Sequence, residues 1–334
     1  MADARFDRAL AALQGLALGD ALGMPTQSMS PAEIEHYYGG IGGLVDSVPE
    51  QAIAPSMPAG AITDDTEQAI LLAQLMIDGQ GHIDPMAFAE TLLAWEDEMV
   101  AKGSHDLLGP STKAALERVR AGEDPSTTGR FGTTNGAAMR VTPVGIAFSL
   151  DDPGAFADAV HETCMVTHDT CQGWQGAVLV AAAVSAGIDG ATTAEAIDEA
   201  LALTCSIPAR GHWSAKASIT ARVRAAMRGL DGLTRDEQLT FLREVVGTSV
   251  DSTESVPAAL AIAREYADSP MEGLYVAANL GGDTDTIAAM AGAIYGATHG
   301  GDAFDRDALR QVVRVSHLDL VPIRDGLMAI RDSH

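Results

Sequence analysis

Apolar residues recur at helical spacing along nearly the whole chain. Phe6, Leu10, Leu13 and Ala17 stand at i, i+4, i+7 and i+11, which places them on one face of a helix. The same period predicts helices around Glu67–Asp78, Pro85–Val100, Ser111–Ala121, Gly154–Thr167, Gly173–Ala186, Ala194–Thr204, Ser214–Gly229, Arg235–Val246, Val256–Tyr266, Thr286–Thr298 and Arg306–Val315. Long alternating runs of β-branched residues, the mark of half-buried strands, are missing. The pattern predicts an all-α fold, a compact single-domain helical globule over residues 1–334 built from many short helices.

Two of these helices differ from the rest. Ile70-Leu71-Leu72-Ala73 with Leu75-Met76-Ile77 is apolar on nearly every face, and so is the run from Ile287 to Ile294. Such helices belong in the middle of a protein. Each is immediately preceded by acids: Thr63-Asp64-Asp65-Thr66 before the first, Asp283-Thr284-Asp285-Thr286 before the second. A plain structural role is open to both, since Thr and Asp cap helix starts and acids in a first turn suit the helix dipole. One side-chain oxygen suffices for a cap, however, and each cluster supplies two carboxylates and two hydroxyls. Crowded carboxylates repel unless a cation neutralises them. Hard oxygen donors suit Mg2+, Mn2+ or Ca2+ better than Zn2+.

Composition narrows the partners. Hydrophobic residues make up 47% of the chain and aromatics only 4%, so aliphatic side chains and alanine must build the core. Alanine favours helices. A net charge of -25 over 334 residues argues against nucleic acid, whose binding needs a basic surface. The lysines are Lys102, Lys113 and Lys216. Cys164, Cys171 and Cys205 lack CxxC spacing, so neither a disulfide framework nor a zinc site is expected, and free thiols suit a reducing cytoplasm. Met1–Arg8 carries no signal-peptide pattern. The longest apolar stretches, near Ala177–Ile188 and Ile287–Ala297, read as too short and too rich in Ala and Gly to span a membrane. Neither a membrane nor a nucleic acid is therefore expected as a partner, and the expected location is cytoplasmic. GxSxG, P-loop and HExxH signatures are absent, and Gly39-Gly40-Ile41-Gly42-Gly43 lacks the order of a dinucleotide fingerprint.

Five stretches carry a resemblance to one known family. Gly15-Leu16-Ala17-Leu18-Gly19-Asp20-Ala21-Leu22-Gly23 resembles the N-terminal motif of the ADP-ribosylglycohydrolases, and Thr63-Asp64-Asp65-Thr66 resembles their first metal motif. Asn135-Gly136-Ala137-Ala138-Met139-Arg140-Val141-Thr142-Pro143 resembles their central loop-to-helix motif, and Thr167-His168 a further short one. Gly281-Gly282-Asp283-Thr284-Asp285-Thr286-Ile287 resembles their second metal motif. The matches run in family order from Gly15 to about Gly300. The resemblance implies an all-α fold with a central binuclear site for two divalent ions, Mg2+ or Mn2+. Its ligands, by match, are Thr63, Asp64, Asp65, Asp283, Asp285 and Thr286. Two such ions can clamp the vicinal hydroxyls of a ribose and lower the pKa of a water. That suits cleavage of a glycosidic bond through an oxocarbenium-like state.

The remaining candidates serve the rest of the substrate. Asn135 and Gly136 enter a helix whose backbone N–H groups suit an anion. Arg140 would add charge, and His168 would contact phosphate or ribose, although an Arg on a helix and a His beside Asp169 are also common internal partners. One departure matters. Some family members close the N-terminal motif with Glu, whereas here Gly23-Met24-Pro25-Thr26 leads to Gln27. An amide can hold a hydroxyl or a water but cannot exchange a proton, so Asp65 or Asp285 is left as the base. The expected substrate is an ADP-ribosylated protein or a small ADP-ribosylated molecule. Two alternatives stand: a nucleoside-type N-ribosidase on the same scaffold, favoured by Gln27 and the negative charge, and a non-enzymatic crystallin-like relative, disfavoured by the complete set of metal residues. Nothing in the pattern selects a leaving group, a metal or an oligomeric state.

Overall fold

The computed structural model describes residues 2–103 and 108–333. Helix follows helix from Ala2–Gly23 to Leu320–Ser333. Among the described residues there is no β-strand, only the isolated bridges Thr134–Asp251 and Thr170–His212. One large apolar cluster runs through the molecule. At its middle lies the helix Thr284–His299, buried at every position from Thr284 to Thr298. It packs against the helices Ala2–Gly23, Cys171–Asp189, Ser252–Glu265 and Pro270–Ala278.

The contact with Ala2–Gly23 is the tightest, and glycine makes it possible. A Cβ added to Gly15 would lie 2.1 Å from the Gly292 carbonyl oxygen, and one on Gly19 would lie 2.1 Å from that of Ala288. These glycines are four residues apart on one helical face, so the two backbones touch where any side chain would hold them apart. The antiparallel pairing sets the end of the first helix against the acid-bearing start of the other. A Cβ on Gly23 would fall 2.4 Å from Asp285 Cα.

Most predicted helices are present, and Arg306–Val315 has the predicted bounds. The helix predicted from Ser214 starts at Ile219, because Ser218 caps it through the Ala221 N–H. The helix from Arg235 ends at Phe241 and finishes in a π-turn over Leu242–Val246. Pro31–Tyr38, Thr142–Ala147 and Pro270–Ala278 are additional helices, each with Pro in its first turn, where the missing N–H costs nothing. Two burial expectations need correction. The helix Asp64–Asp78 is not covered all round: its buried stripe includes Ala69, Leu72, Ala73 and Met76, while Gln74 is exposed. The helix Cys171–Asp189 is long and apolar enough to cross a membrane, contrary to the sequence reading. It is a core helix, however, with 89% of its apolar window buried inside the protein.

Candidate active site

The helix Asp64–Asp78 begins at Thr63, whose side chain makes no capping hydrogen bond. Its capping carboxylate comes from another helix. Asp20, fully buried in Ala2–Gly23, accepts the backbone N–H of Thr63 at 3.0 Å and that of Thr66 at 3.1 Å. It also accepts the Thr63 hydroxyl at 2.8 Å and the Thr66 hydroxyl at 2.5 Å. One carboxylate thus satisfies donors that a helix start leaves open, and Asp64 and Asp65 are released from capping. Asp64 Oδ2 accepts from the Gln68 amide at 2.9 Å. Asp65 Oδ2 accepts from the Thr286 hydroxyl at 3.2 Å, which ties the first acidic cluster to the second.

The second start is placed by backbone. Gly281 and Gly282 both have positive φ, 80° and 77°, and a Cβ on Gly282 would meet the Thr248 carbonyl oxygen at 2.4 Å, so the turn requires glycine. Gly282 N–H donates to Met29 O at 3.0 Å and Ser28 N–H donates to Gly282 O at 2.6 Å, which draws Gln27 toward Asp283. The Asp283 carboxyl accepts from the Asn135 amide, and the Thr284 hydroxyl donates to Gly23 O at 2.9 Å. Gln27, Asp64, Asn135, Gly136, Asp283, Asp285 and Thr286 line a single cavity of about 300 Å³, together with Lys113 and Thr134.

Four predicted residues lie outside that lining. Thr63 and Asp65 are buried behind it, 1% exposed each. Arg140 does not reach the cavity. It is fully buried and donates to Gln68, Thr163 and Thr167, so it belongs to the packed interior behind the site. His168 is also fully buried, bonded to the hydroxyls of Thr134 and Thr167, so it touches the cavity wall rather than the space. The loop expected to offer backbone N–H groups to an anion leads into a short helix, Gly136–Met139, and the Asn135 side-chain amide donates to Ser255 and Asp283. No tryptophan serves the cavity. Trp95 donates to Glu67, Trp174 is fully buried and Trp213 is 81% exposed. Sequence reasoning missed Asp20 as part of the site, although a lone acid inside Leu18-Gly19-Asp20-Ala21-Leu22 is a signal, since a buried carboxylate demands partners. Lys113 and Thr134 carried no such signal.

The electrostatics are those of anions crowded in a dry place. Burial pushes the Asp20 and Asp283 carboxyls up to about 6, against the hydrogen bonds they receive. Burial pushes Asp64, Asp65 and Asp285 well above the usual range, and repulsion adds to it: Asp20 and Asp283 on Asp64, Asp285 and Asp20 on Asp65, Asp283 and Asp20 on Asp285. Among the described residues no three His, Cys, Asp or Glu side chains form a closed metal-holding group. The carboxylates turn instead to Gln68, Thr286 and Asn135. Two oxygens are left over: Asp65 Oδ1 and Asp285 Oδ1 are buried with no hydrogen-bond partner among the described residues. An unpartnered buried acceptor is costly, and unpaired hard oxygens among mutually repelling carboxyls fit a hard divalent cation.

Comparison with known proteins gives the family and the fold. The sequence model of the ADP-ribosylglycohydrolase family matches residues 1–332. The uncharacterized protein YegU of Escherichia coli (strain K12) is 35% identical over 316 residues, 94% of each chain. The ADP-ribosylarginine hydrolase Tri1 of Pseudomonas putida (strain GB-1) is 28% identical over 322 residues, 93% of this chain and 76% of its own. A solved structure described as an ADP-ribosylglycohydrolase-related protein complex superposes with a TM-score of 0.70 at 26% identity, over 99% of both chains. With its full-length match, its all-helical fold and its paired acidic helix starts, the chain belongs to the ADP-ribosylglycohydrolase family and is a glycoside hydrolase.

Proposed function

We propose that the protein releases ADP-ribose from a modified protein side chain or small acceptor, with two divalent cations, Mg2+ or Mn2+, as cofactors. The observation that carries this reading is the convergence of two helix starts on one cavity, with two buried carboxylate oxygens left unpartnered. Asp64, Asp65, Asp283, Asp285, Thr63 and Thr286 would hold the cations. When bound, such cations polarise ribose hydroxyls and acidify water.

The chain's own groups supply the remaining steps. Gln27 lines the cavity and its Nε2 has no partner among the described residues, so the amide is available to hold a hydroxyl or a water. Asp285 lines the cavity while Asp65 stands behind it, so Asp285 is the base. It takes a proton from the water that attacks the anomeric carbon. The bond to the leaving group breaks with its electron pair on that group, which then receives the proton. Asp65 supports this from behind through the Thr286 hydroxyl. The likeness to an ADP-ribosylarginine hydrolase favours an ADP-ribosyl conjugate over a bare nucleoside.

No Phe, Tyr or Trp is among the described lining residues, so neither the adenine of ADP-ribose nor the base of a nucleoside gains the stacking worth about 1–3 kcal/mol, and the two readings stand level on this point. A side-by-side assay separates the two. ADP-ribosyl-arginine, suggested by the likeness to an ADP-ribosylarginine hydrolase, and related conjugates are compared with a panel of nucleosides, each with Mg2+ and with Mn2+. Cleavage of a conjugate is expected. Release of free base from nucleosides, with no conjugate cleaved, overturns the reading.

A further inference from the structure

A buried guanidinium stands behind the cavity and connects to two of its walls. Arg140 lies over the Phe88 ring at 5.0 Å and gives its hydrogens to neutral oxygens. Nη1 donates to Gln68 Oε1 at 3.0 Å, and Nη2 to Thr167 Oγ1 at 2.5 Å and to the Thr163 carbonyl at 3.3 Å. A guanidinium only donates. Each partner is therefore fixed as an acceptor, and that polarity passes outward along two arms.

On one arm, Gln68 holds its carbonyl toward Arg140 and its amide hydrogens toward Asp64 Oδ2. On the other, Thr167 accepts from Arg140, and among the described residues the one remaining partner of its fully buried hydroxyl is His168 Nδ1 at 2.7 Å, the acceptor available for its own hydrogen. The His168 ring then carries its hydrogen on Nε2, 2.9 Å from Thr134 Oγ1. Burial and the nearby Arg140 charge hold His168 well below its ordinary pKa, so the ring keeps a single hydrogen at neutral pH. Gly136 leaves room for the ring: an added Cβ would lie 2.7 Å from His168 Cε1. Thr134 lines the cavity and, as an acceptor from His168, retains its own hydroxyl hydrogen, for which no described protein group is the acceptor.

We propose that this relay makes Thr134 Oγ1–H a donor to a substrate oxygen that bears no hydrogen, such as a phosphate oxygen, with Arg140 and His168 as positioning residues behind it. The ligand class rests on the ADP-ribosyl reading above; the hydrogen-bond polarity does not. The test reads polarity first. In protein labelled with 15N-histidine and supplied with Mg2+, the His168 ring should show a hydrogen on Nε2 and a bare Nδ1. A hydrogen on Nδ1 overturns the relay, whatever the substrate proves to be. Arg140→Met should leave a mixture of tautomers. Should that variant not fold, Thr167→Val removes the intervening hydroxyl and should do the same. An unchanged tautomer in the variant that folds overturns the relay.

Function is read second. Thr134→Val should lower kcat/KM for ADP-ribosyl-arginine about tenfold, the size of one hydrogen bond, and Thr134→Ser should restore it. Equal kcat/KM in Thr134→Val and wild type overturns the donor role. If wild type cleaves no conjugate, the proposed function fails alone. Affinity for ADP-ribose then replaces the rate, and an equal Kd in wild type and Thr134→Val overturns the donor role.

Discussion

The two acid-bearing helix starts face one cavity but are built by different means. The start at Thr63 is held by side chains. Asp20 reaches in from another helix to accept from four donors of Thr63 and Thr66, and Gln68 steadies Asp64. The helix that follows has an exposed side, with Gln74 in solvent. The start at Asp283 is held by backbone: Gly282 fits against Thr248, Gly23 against Asp285, and the helix that follows is covered on every side. The first start depends on the donors that Asp20 accepts, and the second on the absence of a side chain at Gly23 and Gly282. Both nevertheless leave one buried carboxylate oxygen unpartnered, Asp65 Oδ1 and Asp285 Oδ1.

The sharpest way to break the comparison is one methyl group on the backbone-held side. Replacing Gly by Ala within a helix gains about 1 kcal/mol from propensity. At Gly19 the new Cβ would lie 2.1 Å from the Ala288 carbonyl oxygen, and overpacking of this kind costs about 3 kcal/mol or more. The clash wins, so Gly19→Ala should lower the urea midpoint sharply, while Gln74→Ala on the exposed side of the other helix should leave it unchanged. A Gly19→Ala protein as stable as wild type would show that the two helices are not locked by contact.

Cations should act on both starts alike. In their absence Asp20, Asp64, Asp65, Asp283 and Asp285 have folded-state pKa values above the unfolded 3.8. The folded state then binds more protons, so their contribution to stability is present at low pH and is lost as pH rises through about 6, where Asp20 and Asp283 titrate. His168 works the other way: its lowered pKa removes stability as pH falls below 6.5. One imidazole against five carboxyls leaves the carboxyl trend in control. Chelated protein should therefore melt higher at pH 5.5 than at pH 8. Mg2+ or Mn2+ at a hundredfold its Kd should add about 2.7 kcal/mol per bound ion at pH 8. Asp64→Ala and Asp285→Ala should each remove that gain. Thermal unfolding with and without EDTA decides it: no shift with cation in wild type, or an undiminished shift in both variants, would mean that the two starts do not share a cation site.

Removing the charge that holds the first start should cost less. Asp20→Asn keeps one acceptor oxygen but points an amide donor at the donors of Thr63 or Thr66. Unmet buried donors cost about 2 kcal/mol here, at the middle of the usual range, and relief of repulsion with Asp64 and Asp65 offsets part of it. A lower urea midpoint is expected, smaller in effect than Gly19→Ala. A higher midpoint would mean that repulsion, not capping, governs Asp20.

Periodicity carried most of the fold, because helical stripes such as Leu10, Leu13 and Ala17 repeat along one strand of sequence. The additional helices Pro31–Tyr38 and Pro270–Ala278 were hidden by their own prolines, which read as breakers but occupy the first turn. In the site, carboxylates at the head of apolar helices were legible because the juxtaposition is local. Arg140 and His168 stayed open between substrate contact and internal partner, because the sequence lists residue types without the direction of their side chains. Whether a helical Arg faces the cavity or the interior depends on partners such as Gln68 and Thr163, far away in the chain. Asp20 was overlooked for the same reason, since its partners lie 43 and 46 residues downstream.

The smallest effect should come from the residue that stands between the two starts. Gln27 lines the cavity beside both acidic clusters, and Gln51 holds its backbone through a 3.1 Å hydrogen bond to the Gln27 carbonyl. The side chain is thus positioned by neighbours but bonded to none through Nε2. Gln27→Ala removes one potential hydrogen bond to substrate or water and leaves every other bond described here in place. Its urea midpoint should match wild type, and kcat/KM should fall by about tenfold or less, the size of a single hydrogen bond. Gln27→Glu is a different change, because it adds a sixth carboxyl beside Asp64, Asp283 and Asp285. It should bind cations more tightly, and by supplying a group that exchanges protons it should alter the preference among ADP-ribosyl conjugates. If Gln27→Ala proves as inactive as Asp285→Ala while still gaining heat stability from Mn2+, the amide takes part in the chemical step itself, and the division of work between the acidic starts and Gln27 is wrong.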